Sequence, residues 1–136
     1  GAAAFSEPET QNIRELVSSR HVTTLITNHT FSNLVLRPNG AAPDLVPSSE
    51  GIPLGDPFDE DALRDLGDRM AAQNGYTSQH AWELYDTTGS TEDWSYNATG
   101  GFGYTFEIGP DEFHPHFPEV VDEYLGAGEY AGRGNR

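Results

Sequence analysis

The spacing of apolar residues predicts a helix followed by a buried strand at the start of the chain. An apolar stripe at Ile13, Leu16 and Val17 predicts a helix over residues 6–19. Ser6 and Glu9 have the spacing of a capping box, which marks the beginning of a helix. Residues 22–27 are mostly apolar and β-branched, which is typical of a strand buried on both faces.

The rest of the pattern predicts further elements of both kinds. Residues 59–74 form a second helical stripe that ends at Gly75. Strands are predicted at 82–85 and 103–108, and in the second of these Glu107 lies on the polar face. A last helix is predicted from Pro118, with its buried stripe at Val120, Val121, Tyr124 and Leu125. The Pro, Gly, Asp and Ser content of residues 40–57 predicts a long surface loop, and residues 126–136 are predicted to be a flexible tail.

Helices and strands that alternate along one chain predict an α/β fold with a mixed sheet and helices on both faces. Strands as apolar as residues 22–27 need helices on both faces of their sheet, and three helices leave part of these faces uncovered. The pattern therefore indicates that more protein packs on this chain.

Composition narrows the functions that are compatible with this fold. The 136 residues fit one domain, and no apolar run is long enough to predict a membrane span. A formal net charge of −15, with no Lys at all, argues against a nucleic-acid partner. Because the chain has no Cys, any metal must be held by His and carboxylate side chains.

Two titratable residues stand out by their places in the predicted strands. His29 follows the strand at 22–27, at the edge where sites form in open α/β sheets. It is either a metal ligand or a histidine hydrogen-bonded for structural reasons. Glu107 is either a general base with a raised pKa or a solvated residue of an edge strand. The pattern alone favours the structural interpretation for both.

Other sequence features carry weaker signals. His114-x-His116 has a spacing that can bind metal, but its Pro and Phe neighbours favour ordinary loop packing. A glycine-rich phosphate-binding loop leads into a helix, whereas the glycines here precede a strand: Gly100, Gly101 and Gly103. They are interpreted as a flexible turn.

The order and spacing of these residues resemble the zinc metallocarboxypeptidase family of the pancreatic carboxypeptidase A and B type, the M14 peptidases. Residues 5–10 (FSEPET) resemble the helix start before the family's third zinc-ligand strand. Residues 27–40 (TNHTFSNLVLRPNG) resemble the segment from that ligand to a Pro-x-Gly turn. Tyr85 lies nine residues before Trp94 and Glu107 thirteen after it, as in the family.

The resemblance implies a role for each matching residue. His29 takes the place of the third zinc ligand, Tyr85 that of the tyrosine that closes over substrate, and Glu107 that of the general base. Glu92 takes the place that sets side-chain preference, where an acidic residue favours C-terminal Lys or Arg. The usual acidic residue there is Asp, and Glu92 as a solvated loop charge is an equally open interpretation. The implied activity is zinc-dependent release of C-terminal amino acids from peptides.

The chain departs from the family in its missing ligands. The first two zinc ligands of the family come from a His-x-x-Glu pair, and the arginines that bind the substrate carboxylate come from an Asn-Arg motif. Neither occurs at a matching position, and the His116 to Glu119 spacing is interpreted as chance.

These departures lead us to expect that residues 1–136 are the C-terminal portion of a metallocarboxypeptidase catalytic domain and are inactive alone. Expected partners are the missing N-terminal half, peptide or protein C-termini, and other copies of the chain through self-association. The family implies secretion. The alternative is a non-catalytic carboxypeptidase-like binding module or scaffold.

Overall fold

The computed structural model describes residues 1–43, 55–113, 116–128 and 131. Most of the predicted loop at 40–57, most of the predicted tail at 126–136, and His114 lie outside the described residues. In the described part of the chain, no helix is long and apolar enough to cross a membrane.

Four helices and four strands make up the regular structure of the described residues. In chain order they are α1 (Pro8–Ser19), β1 (Thr24–His29), β2 (Leu34–Arg37), α2 (Glu60–Asn74), β3 (Thr77–His80), α3 (Thr91–Trp94), β4 (Phe102–Glu107) and α4 (Phe117–Leu125). A 3₁₀ turn at Ala81–Glu83 follows β3, and a π-helical turn at Ser95–Thr99 follows α3.

The strands form one mixed sheet in the order β1-β4-β2-β3. β1 runs parallel to β4, β4 antiparallel to β2, and β2 parallel to β3. In this register His29 lies opposite Glu107, and Leu36 lies opposite Thr105. Because residues directly opposite each other share a face of the sheet, these four side chains belong to the same face. The predicted α/β class with a mixed sheet is confirmed.

The other face of the sheet carries the hydrophobic core. Val35 and Tyr104 pack there against Leu63 and Ala71 of α2. The buried Tyr104 hydroxyl donates to the Leu63 carbonyl oxygen at 2.9 Å. This hydrogen bond satisfies a polar group that would otherwise be costly to bury, and it fixes α2 across the sheet.

Gly103 brings α3 onto the face that carries Glu107. A Cβ atom at Gly103 would lie 2.5 Å from the Cα of Glu92, so no larger residue fits between β4 and α3. Since successive residues of a strand point to opposite faces, α3 lies across the sheet from the Tyr104 core. Helices therefore cover both faces, as predicted.

The boundaries of α2 follow the sequence signals closely. The helix begins after Asp59 and ends at Gly75, whose φ of 76° is the left-handed conformation that glycine adopts at a helix end. The predicted helix at 59–74 is confirmed. Leu63 of its apolar stripe is fully buried, while Leu66 and Met70 are partly buried against the core.

One predicted strand is wrong, and two observed strands are missing from the predicted elements. Residues 82–85 are not a strand, because the 3₁₀ turn at Ala81–Glu83 occupies this place. The strand lies just before it as β3, whose sequence TSQH has no apolar alternation to reveal it. β2 is also absent from the predicted elements.

Three predictions about burial and capping are also wrong. Glu7, not Ser6, is the N-cap of α1, and the Ser6 hydroxyl donates to the Glu7 carboxylate instead. The strand expected to be buried on both faces is β1 at the edge of the sheet, where Ile26 is 43% exposed. The predicted buried stripe of α4 leaves Tyr124 and Leu125 exposed among the described residues.

Candidate active site

One cavity of about 270 Å³ brings the predicted site residues together. It lies between the Glu107 face of the sheet and the chain segment that leads from the 3₁₀ turn into α3. The residues that the sequence singled out all line it: His29, Tyr85, Glu92 and Glu107. The cavity also includes Thr105 on β4 and Thr87 on the opposite wall.

His29 and Glu107 end the two parallel strands at the same edge of the sheet. The Nδ1 atom of His29 lies 3.7 Å from Oε1 of Glu107. The Glu107 side chain is buried, whereas that of His29 is 57% exposed and open to a ligand. Burial raises the pKa of Glu107, the nearby His29 opposes this shift, and the negative charge of Glu92 adds to it. The alternative of a solvated Glu107 on an edge strand is wrong, since β4 is internal to the sheet.

Glu92 accepts a hydrogen bond in the cavity from Thr105, whose hydroxyl in turn contacts that of Thr27. Thr105 Oγ1 donates to Oε2 of Glu92 at 2.8 Å and also lies 2.8 Å from Oγ1 of Thr27. A threonine hydroxyl has only one hydrogen, so Thr27 is the donor in the second contact. Glu92 is only 5% exposed, which shows that its interpretation as a solvated loop charge is wrong.

Tyr85 lies at the rim of the cavity. Its residue is 63% exposed, and the 3₁₀ turn that precedes it directs the chain along the cavity wall. Most of the Tyr85 side chain is therefore accessible from the cavity mouth and from solvent.

A half-buried carboxylate next to Glu92, that of Asp93, is absent from the predicted site residues. Both carboxylate oxygens of Asp93 accept from the Gly40 N–H at 3.0 Å. Burial raises the pKa of Asp93 to about 6, although the Gly40 N–H opposes the shift, and the charge of Glu92 raises it further. The two residues are 53 positions apart, so no local sequence signal joins them.

The raised pKa of Asp93 makes protein stability depend on pH. Between its ordinary pKa and about pH 6, the folded state binds more protons than the unfolded state, so stability falls as pH rises through this window. Asp93→Asn has no such titration. At each pH the unfolding free energy of the wild type is subtracted from that of the variant. We expect this difference to be about 1–3 kcal/mol larger at pH 7.5 than at pH 4. Urea denaturation at both pH values measures this, with the exposed Asp68→Asn as the matched control. An equal difference at both pH values would contradict the prediction.

A second buried charged cluster lies away from the cavity. The Arg37 guanidinium donates two hydrogen bonds to Oε1 of Glu60, at 2.7 Å and 3.1 Å. His80 places Nε2 3.3 Å from the same oxygen and Nδ1 2.7 Å from the Pro38 carbonyl oxygen. These contacts join the beginning of α2 to the ends of β2 and β3, so we interpret the cluster as structural.

The other sequence features lie outside the cavity. Gly100, with a φ of 75°, ends the π-helical turn, in agreement with its interpretation as a turn residue. His116 and Glu119 flank the beginning of α4, where the Glu119 N–H donates to the His116 carbonyl oxygen. In the described ranges, no group of three or more His, Cys, Asp or Glu side chains is arranged to hold a metal ion.

The family of the chain follows from a match over most of its length. Residues 1–124 match the family model described as zinc carboxypeptidase. The chain belongs to the zinc carboxypeptidase family. The sequence-based recognition of this family, which rested on the spacing around Tyr85, Trp94 and Glu107, is therefore confirmed.

Individual zinc carboxypeptidases show the same relationship. The chain is 33% identical over 110 residues to a zinc carboxypeptidase of Saccharothrix mutabilis subsp. capreolus, which covers 81% of this chain and 24% of that protein. It is 30% identical over 114 residues to zinc carboxypeptidase A 1 of Anopheles gambiae, and this match covers 82% of this chain and 25% of that protein. The chain thus spans about a quarter of the length of these relatives.

Solved structures agree on the fold. Carboxypeptidase A from Helicoverpa armigera matches with a TM-score of 0.66 at 20% identity, over 85% of this chain and 29% of that one. Thrombin activatable fibrinolysis inhibitor matches with a TM-score of 0.64 at 20% identity, over 79% of this chain and 26% of that one. At these identities the likeness establishes the carboxypeptidase fold.

Proposed function

We propose that this chain is the C-terminal portion of a zinc-dependent carboxypeptidase domain that releases C-terminal amino acids from peptides. The observation that carries the proposal is the single cavity lined by His29, Tyr85, Glu92 and Glu107. A histidine and a buried carboxylate in one cavity can serve as a metal ligand and a general base in metal-assisted peptide hydrolysis, and the exposed tyrosine can donate a hydrogen bond to substrate.

His29 would hold the zinc ion as one of its protein ligands. Its exposed imidazole ends β1 at the cavity, but catalytic zinc sites use three protein ligands, and the described residues provide no such group. The other two ligands would come from a His-x-x-Glu pair in the N-terminal half of the domain. When bound, zinc supplies Lewis-acid polarisation of the peptide carbonyl and lowers the pKa of water.

Glu107 would act as the general base and then as the general acid. Its carboxylate lies beside His29 and faces the cavity from a rigid internal strand. It accepts a proton from the attacking water and delivers that proton to the leaving amine. Tyr85 would close over the bound substrate from the rim and donate a hydrogen bond to it.

Glu92 would select the departing side chain. Its carboxylate lies in the cavity with one oxygen satisfied by Thr105. A buried negative charge attracts a Lys or Arg side chain more strongly than an exposed charge would. The proposed preference is therefore for basic C-terminal residues.

The exposed apolar positions support the proposed N-terminal half as a partner. Ile13, Leu16 and Ile26 are exposed on α1 and on the outer strand β1. An unpaired strand edge with apolar neighbours favours association, either with the missing half or with another copy of the chain. The family resemblance further implies that the parent protein is secreted.

The second candidate function is a binding module that keeps the carboxypeptidase fold without catalysis. The burial of Glu107 next to His29 disfavours it, because burying a carboxylate is costly when nothing uses it. A scaffold alone has no physical need for that arrangement. The preceding coding sequence distinguishes the two candidates, since a catalytic parent must contain the His-x-x-Glu and Asn-Arg motifs.

Comparison of the isolated chain with the complete domain tests the proposed function. We expect the complete domain to bind one zinc ion per chain and to release Lys from a Lys-terminated peptide. The isolated 136-residue chain should bind zinc in less than stoichiometric amount and release no amino acid. Elemental analysis and an amino-acid release assay measure both. Stoichiometric zinc in the isolated chain, with hydrolysis lost in Glu107→Gln, would contradict the need for the missing half.

A further inference from the structure

The segment that carries Tyr85 is attached to the rest of the protein through Gly40. Residues 84–90 contain no helix or strand, yet they form one wall of the cavity. The Thr87 N–H donates to the Gly40 carbonyl oxygen at 2.8 Å. The Gly40 N–H donates to Asp93 on α3. Asp93, Gly40 and Thr87 therefore form a continuous chain of hydrogen bonds, called here the Asp93 clasp.

The clasp links two walls of the cavity through Gly40 and Asp93, which do not line it. Thr87 lines the cavity on the Tyr85 segment, and Glu92 lines it on α3. Asp93 directly follows Glu92 and anchors α3 to Gly40. A second attachment, from the Ala42 N–H to Oδ1 of Asp86 at 2.8 Å, restrains the same segment near its exposed side. The Asp93 carboxylate is thus linked through Gly40 to Thr87, and the Asp86 contact restrains the same segment independently.

Thr87 and Asp93 both pack closely against Gly40. A Cβ atom at this position would lie 2.8 Å from Cγ2 of Thr87 and 3.2 Å from Oδ2 of Asp93. A larger residue would therefore require the Thr87 side chain to shift and would crowd the Asp93 carboxylate. Glycine suits this position because two parts of the chain approach its backbone closely.

We propose that Asp93 is a positioning residue for the specificity pocket: through Gly40 it holds the Tyr85 segment against the helix that bears Glu92. This role rests on the proposed carboxypeptidase function, because Asp93 does not line the cavity and acts through Thr87 and Glu92. The bond from a backbone N–H to an ionised carboxylate is charge-assisted and stronger than a neutral one. Asn at this position keeps one acceptor oxygen, whereas Ala keeps none.

Kinetics of the complete, zinc-loaded domain test the positioning role. We expect Asp93→Ala to raise KM for a Lys-terminated peptide at least tenfold while kcat changes less than threefold, because the pocket for the departing side chain loosens and the base Glu107 stays in place. Asp93→Asn should restore KM to within about threefold of the wild type through its remaining acceptor. Asp68→Ala, an exposed change on α2, is the matched control and should leave both constants unchanged.

Amide hydrogen exchange in the same domain distinguishes failure of the positioning role from failure of the proposed function. We expect Asp93→Ala to accelerate exchange at both Gly40 and Thr87, although Asp93 contacts only the first. Unchanged exchange at Thr87, or an unchanged KM, would overturn the positioning role while the proposed reaction stands. A wild-type domain with no hydrolysis of the Lys-terminated peptide would overturn the proposed function, and the positioning role with it.

Discussion

Glu107→Gln in the complete, zinc-loaded domain is expected to lower kcat for a Lys-terminated peptide by about 100- to 10,000-fold, the range that a positioned general base contributes. Gln has nearly the same shape as Glu but cannot take up the proton from water. Because Glu107 is buried at an internal strand, the amide should occupy the same place and leave KM within a few fold of the wild type. Steady-state kinetics measure both constants.

Two controls separate loss of the base from loss of the fold. Glu15→Gln makes the same chemical change at an exposed position of α1, and we expect it to leave kcat unchanged. The melting temperature of Glu107→Gln should not fall, since removing a buried charge that is only partly compensated does not destabilise the folded state. Hydrolysis within tenfold of the wild type in a folded variant would show that Glu107 is not the base.

Strands with alternating side chains could be predicted from the sequence, and polar strands could not. β4 alternates Tyr104 and Phe106 with Thr105 and Glu107, and its position is close to the predicted 103–108. β3 consists of Thr, Ser, Gln and His, so it becomes a strand through its pairing with β2 and not through its own pattern. The predicted strand at 82–85 failed for the same reason, because local apolar content cannot report where a partner strand lies.

The family spacing could select candidate site residues that line one cavity, but it could not predict their surroundings. His29 and Glu107 are 78 positions apart in the sequence and become neighbours only through the parallel pairing of β1 with β4. The burial of Glu92 depends on Gly103, which lets α3 approach the sheet. The contact between Asp93 of α3 and Gly40 depends on the path of the chain after β2, for which the sequence has no periodic signal.

The apolar stripes of α1 and α4 correctly predicted helices but not burial. Val17 is buried in α1, whereas Ile13 and Leu16 face outward. An amphipathic pattern reports that a surface is suited to packing, not which element packs on it. This mismatch agrees with the proposal that a further part of the domain covers these helices.

Glu92→Gln is expected to remove the preference for basic C-terminal residues. In the complete domain, kcat/KM for a Lys-terminated peptide should fall by about 10- to 100-fold, because a buried charge-assisted contact contributes about 1.5–3 kcal/mol. The value for the matching Leu-terminated peptide should stay within threefold, since an apolar side chain does not use the carboxylate. The Thr105 hydroxyl can donate to the amide oxygen of the substituted side chain as it does to Oε2 of Glu92, so the pocket should keep its shape.

The length of the Glu92 side chain provides a second test of the same pocket. Glu92→Asp keeps the charge but withdraws it toward α3, so Lys and Arg termini should remain preferred over Leu, and the longer Arg should lose least. Kinetics with the three peptides, which differ only in the last residue, measure these ratios. A Lys to Leu ratio that is the same in the wild type and in Glu92→Gln would show that the carboxylate does not contact the departing side chain. Thr105 would then hold Glu92 for structural reasons, because a buried carboxylate that binds no cation must still be hydrogen-bonded.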